Sequence, residues 1–120
     1  MIVEYYGVED NFCEWNYIQG IISHLDLDDS TKLHIVSVTP EWDYTDKVIL
    51  DKEKRNVIIG LADEYMKDNI PQEWKDNATV FKAYCKPEQE TGNVHSFPLG
   101  YNKKHTKLPN KPIKSRPIDV

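Results

Sequence analysis

The chain has 120 residues, 39% of them hydrophobic and 11% aromatic, and a formal net charge of -5. That length suits one hydrophobic core and is too short for a two-domain enzyme, and the acid surplus disfavours nucleic acid, whose phosphates it repels. The mean hydropathy is -0.65, no apolar run approaches the roughly 18 residues of a membrane span, and no basic segment leads into an apolar one as in an export signal; a cytoplasmic protein without a transmembrane segment is expected.

Met1–Tyr6 is rich in β-branched and aromatic residues and predicts a first strand. A turn follows from Gly7 to Asp10. Asn11 and Glu14 have the spacing of a capping box. Phe12, Trp15, Ile18, Ile22 and Leu25 then recur at intervals of three and four, which predicts an amphipathic helix from Asn11 to about His24. On that helix Trp15 is expected in the core and Cys13 packed or neutral. Cys13 and Cys85 are far apart and are expected as reduced thiols.

Asp26–Ser30 is a polar loop without the glycine and terminal glutamate of a calcium-binding loop. Leu33–Val38 predicts a second strand and Pro40–Asp46 a turn holding Glu41, Trp42 and Asp43. Lys47–Asp51 fits either a short strand or the start of a helix. Asn56–Ala62 contains the wholly apolar run from Val57 to Ala62, the pattern of a strand buried on both faces. Glu64–Lys67 and Gln72–Lys75 predict short helices, the second beginning after Pro71. Ala78–Ala83 and Val94–Phe97 complete a set of five strands. Alternating strands and helices predict an α/β fold, Rossmann-like, with a mostly parallel sheet flanked by helices over residues 1–102. Residues 103–120 carry Lys103, Lys104, Lys107, Lys111, Lys114 and Arg116 among Pro109, Pro112 and Pro117. They predict a basic connection, and Ile118-Asp119-Val120 resembles the opening of a further strand.

The sharpest candidates for chemistry are Asp63 and Glu64, at the carboxyl end of the apolar run, where open α/β sheets bind ligands. One of them suits a base acting on an acceptor hydroxyl; the pair also suits capping of the next helix. Pro98-Leu99-Gly100 predicts a tight turn, either simply ending a strand or carrying a rim loop with Tyr101 and Asn102. His24, His34, His95 and His105 have no metal-ligand spacing, and His95 is expected half-buried on its strand. Trp42 and Trp74 suit either the edge of a core or a sugar-stacking platform. Asp26-Leu27-Asp28 has the one Asp-x-Asp spacing, in a loop that solvation explains. No metal or other cofactor is expected.

The ordered series Leu61-Ala62-Asp63-Glu64, Val80-Phe81-Lys82-Ala83-Tyr84, Phe97-Pro98-Leu99-Gly100-Tyr101-Asn102 and Arg116-Pro117-Ile118-Asp119-Val120 resembles the amino-terminal half of exostosin-like glycosyltransferases. The likeness is to the branch of ribitol xylosyltransferase-like and bacterial surface-polysaccharide enzymes. It covers residues 56–120. Lys82-Ala83-Tyr84 stands where that family often has Arg-Asn-Tyr, and lysine is a point donor, not a bidentate fork. The resemblance implies one half of a GT-B architecture, with Asp63 and Glu64 catalytic and Lys82, Tyr84, Gly100, Tyr101 and Asn102 contacting the acceptor. It implies as partners a carboxyl-terminal donor-binding domain beyond this chain and a glycan or other hydroxyl acceptor. It also implies that the chain is inactive alone and that the whole protein is cytoplasmic or peripheral to a membrane. The competing expectation is a stand-alone α/β interaction or ligand-binding module.

Overall fold

The structure is a computed structural model, described here over residues 1–38, 43–61, 70–83, 85–90 and 92–96. Among these residues, strands β1 (Ile2–Tyr6), β2 (Thr31–Ser37), β3 (Arg55–Leu61), β4 (Ala78–Lys82) and β5 (Val94–Ser96) form one sheet. The strands lie side by side in chain order, and every pair is parallel. This is the expected α/β class. The register sorts residues into two faces, because successive side chains alternate. Tyr5, Ile35, Ile59, Phe81 and His95 make one row. On the opposite face lie the rows Glu4, His34, Ile58, Val80, Val94 and Tyr6, Val36, Gly60, Lys82, Ser96.

Helix α1 (Trp15–His24) covers the first face. Ile18 is fully buried there and packs with Val8, Leu33, Ile35, Ile59 and Leu61. Full burial of each such side chain contributes about 1.5–3 kcal/mol. The opposite face is covered by turns and one short helix. Tyr44, Val48 and Leu50 from the β2–β3 connection, and Trp74 from α2 (Gln72–Asn77), pack over Val36, Val38, Ile58, Ala78, Val80 and Val94. Both the β1–β2 and β2–β3 steps move the same way across the sheet. Connections on opposite faces therefore have opposite hands, so one departs from the usual right-handed crossover.

Three sequence expectations are corrected. The helix starts at Trp15, and Asn11 does not cap it: Glu14 occupies the cap position without a side-chain capping hydrogen bond. Residues 9–15 form tight turns instead, with Phe12 N–H to Glu9 C=O at 2.9 Å and Trp15 N–H to Phe12 C=O at 3.0 Å. The reason is packing. Val8 is buried and Phe12 lies against the helix-face core, so the chain hugs the sheet before it can rise into the helix. Cys13 consequently falls on a turn and is exposed, and Cys13 and Cys85 are not joined by a disulfide. The ambiguous Lys47–Asp51 segment is neither strand nor helix; a short 3-10 helix spans Thr45–Lys47 and the chain then runs extended. Trp15 does pack as expected, half-buried and 5.2 Å from the Tyr5 ring.

Gly7 holds the end of β1. Its φ is +70°, and a side chain there would collide with the Tyr44 ring. The Tyr44 ring thus occupies the notch where the chain leaves β1 for one face and β2 for the other.

Candidate functional site

An all-parallel sheet delivers every strand's carboxyl end to one edge. Here that edge carries Tyr6, Ser37, Leu61, Lys82 and Ser96. Lys82 is 5% exposed, an unusual state for an ammonium group. Its Nζ lies 3.5 Å from Gln89 Oε1, which also accepts the Lys86 N–H at 3.0 Å. The 3-10 helix Pro87–Gln89 thereby folds over the end of β4, and Glu90 Oε1 accepts the Ser96 N–H at 3.1 Å. Gly60 is the neighbour of Lys82 in the row, so no side chain fills the space beside the lysine stem on that strand.

That space opens into a cavity of about 20 Å³ lined by Val38, Thr45, Gly60, Trp74, Val80 and Lys82, among others. It is the size of one water molecule. Thr45 Oγ1 is buried and has no hydrogen-bond partner among the described residues. A water there would satisfy it. Cys85 lies close by, and burial raises its thiol pKa, while the Lys82 charge acts the other way and Glu90 and Glu88 reinforce the rise. Cys85 is therefore a poor thiolate nucleophile.

Of the sequence-named site residues, the structure brings Lys82 to the carboxyl edge. Asp63, Glu64, Tyr84, Gly100, Tyr101 and Asn102 lie outside the described residues, as do Trp42 and His105. Trp74 is 6% exposed and belongs to the core, not to a sugar platform. His95 is exposed and rests against the Phe81 ring at 5.4 Å, where a half-buried residue was expected. The cause is topological, since β5 pairs along one side only among the described strands.

Sequence reasoning missed a buried polar chain. His34 is 0% exposed in the middle of the sheet. The register places Tyr6 of β1 and Asn56 of β3 diagonally on either side of it. Tyr6 Oη donates to Glu4 Oε2 at 2.5 Å and lies 3.2 Å from His34 Nδ1. His34 Nε2 lies 3.0 Å from Asn56 Oδ1. Asn56 Nδ2 donates to the carbonyls of Asp51 (2.8 Å) and Lys54 (3.1 Å), and Oδ1 accepts the Asp51 N–H (3.0 Å). Asn56 therefore clamps the turn that enters β3. Burial is the main cause that lowers the His34 pKa, with the Asn56 hydrogen bond opposing it. Burial and the Glu4 carboxylate raise the Tyr6 pKa. The Tyr6 hydroxyl and then Lys32, 3.1 Å from Glu4 Oε1, lower that of Glu4. The available signal was a histidine inside an apolar strand, flanked by Leu33 and Ile35, which needs polar partners once buried.

On the helix face, a groove of about 350 Å³ runs beside α1, lined by Ile21, Leu25, Leu33, Val57, Ile59 and Phe81, among others. Among the described residues no three His, Cys, Asp or Glu side chains converge as a metal site would need, and no helix is long and apolar enough to cross a membrane. Asp28 serves its loop: its Oδ1 accepts the Ser30 N–H at 3.0 Å. No protein family, curated protein or solved structure matches the chain.

Proposed function

We propose that the domain binds a hydroxyl-rich acceptor at the carboxyl edge of its sheet, as the acceptor-side half of a two-domain glycosyltransferase of GT-B type. The observation that carries this reading is Lys82, a buried lysine at the carboxyl end of an interior parallel strand, beside a glycine and a small cavity. In open parallel sheets that edge is where ligands bind. An ammonium group held in low dielectric is a strong donor to a sugar hydroxyl or to an anionic group on the acceptor. The ordered motifs of residues 56–120 give the reading its reaction class. Asp63 or Glu64 would take the acceptor's proton, and a separate donor-binding domain would supply the activated sugar.

The groove beside α1 supports a second reading, a non-catalytic module that binds a small apolar ligand there. Its volume falls in the range of small-molecule sites. One experiment separates the two. Isotope-labelled protein is titrated with mono- and oligosaccharides, nucleotide-sugars and a small apolar probe, and amide shifts are followed. The glycosyltransferase reading expects glycan-dependent shifts around Lys82, Gln89 and Ser96 that Lys82→Met abolishes while the fold persists. Shifts confined to Ile21, Leu25 and Val57 with the apolar probe would favour the second reading, and glycan binding unchanged in Lys82→Met would overturn the first.

A further inference from the structure

The hydrogen bonds around His34 do not balance when its ring is neutral. Three contacts run in series: Tyr6 to Glu4 at 2.5 Å, Tyr6 to His34 Nδ1 at 3.2 Å, and His34 Nε2 to Asn56 at 3.0 Å. Each needs one proton between its heavy atoms. An ionised Glu4 brings none, the phenol brings one and a neutral imidazole brings one. Asn56 brings none, because its amide nitrogen is committed to the Asp51 and Lys54 carbonyls and its oxygen faces His34. Two protons thus serve three contacts. With Nε2–H on Asn56 and the phenol proton on Glu4, the Tyr6 oxygen and His34 Nδ1 face each other lone pair to lone pair. That contact is the longest of the three. The other tautomer only moves the gap to Asn56.

We infer that Glu4, Tyr6, His34 and Asn56 form a one-proton store, in which a proton entering at exposed Glu4 passes through the Tyr6 hydroxyl to the buried ring of His34. The balance is simple. Glu4 takes a proton from solvent and passes it to the Tyr6 oxygen, while Tyr6 gives its own proton to His34 Nδ1. The products are a carboxylate, a neutral phenol and an imidazolium, with one proton consumed and all three contacts filled. The groups facing the ring decide when it loads. Glu4 on β1 and Asp51 in the β2–β3 connection favour the imidazolium, and Lys32 on β2 opposes it; Tyr6 and Asn56 are its direct partners. Burial opposes loading, so the store fills only on acidification past the ordinary imidazole range. Glu4, His34 and Asn56 stand in rows away from Lys82, and Tyr6, which shares its row, lies three strands from it, so the device needs nothing from Lys82.

The test is imidazole nitrogen NMR of the folded chain across pH, in the native sequence and in Tyr6→Phe and Glu4→Gln. The native protein is expected to show an Nε2–H ring that takes up one proton on acidification. Tyr6→Phe removes the acceptor for Nδ1–H, and its midpoint falls further by roughly one pH unit. Glu4→Gln, on an exposed edge position, lowers the midpoint by removing the anion at the end of the chain. A midpoint that stays in place in both variants overturns the inference. So does a ring that remains neutral for as long as the native protein stays folded.

Discussion

The two faces of the sheet are covered by different means. One carries α1, whose Ile18 reaches a core made of strand aliphatics. The other is closed by single aromatic side chains, Tyr44 from the β2–β3 connection and Trp74 from the short helix α2, over a layer that also holds His34, Asn56 and Lys82. A helix supplies a continuous apolar stripe, so its face can be purely hydrophobic. Turns supply isolated side chains and leave backbone groups to be satisfied, so polar residues such as Asn56 must go inside with them. The polar chemistry of this domain lies on the turn-covered face for that reason.

The largest test of this contrast is Trp74→Ala. It removes the one large side chain that α2 inserts, and a loss of about 3–5 kcal/mol is expected from urea unfolding. Trp15→Ala on the helix face should cost less, because Trp15 is half-buried and Ile18 remains. Equal losses would show that the two faces are closed alike. Asn56→Ala comes next, with an expected loss of about 1–3 kcal/mol, since the Asp51 amide and two carbonyls lose their clamp. Hydrogen exchange should quicken at residues 51–54 and leave α1 unchanged; uniform quickening would contradict a local clamp.

Gly7→Ala combines positive φ with the Tyr44 collision and should cost about 1–3 kcal/mol. A double variant with Tyr44→Ala should recover the steric part but not the backbone part. Additive losses would show that Tyr44 does not seat on Gly7.

The pH dependence has a definite sign. His34 has a folded pKa below its ordinary 6.5, because burial disfavours the charged ring. The unfolded chain takes up its proton near that value and the folded chain only at lower pH. Stability from this residue is therefore fully present above pH 6.5 and is lost as pH falls from there through the folded pKa. Glu4, lowered first by the Tyr6 hydroxyl, adds a decline below 4.5. Urea midpoints measured between about pH 5 and 8 should drop on the acid side, and His34→Gln should flatten that slope. The smallest effect is expected at Ile49, which is 77% exposed. Ile49→Thr should change stability by less than about 0.5 kcal/mol, and a larger loss would mean that this position is covered.

The strands were legible because burial on both faces leaves only apolar residues that are good strand formers. Leu33–Val36, apart from His34, and Val57–Leu61 announce β2 and β3 in that way. The start of α1 was not legible. Asn11 and Glu14 have good capping chemistry, yet Val8 and Phe12 hold the chain against the sheet and delay the helix. Local preference of about 1 kcal/mol for a cap yields to the burial of two apolar side chains.

Composition and pattern by themselves determined an α/β domain whose central strands are buried and whose fourth strand, Ala78–Ala83 by sequence, carries Lys82 near its carboxyl end. Tertiary structure alone decided the side-by-side order of the strands, the opposite hands of the first two connections, and the diagonal meeting of Tyr6, His34 and Asn56. Those residues are far apart in the chain. What joins them is the register between strands, which the summed packing of both faces sets and no short segment encodes.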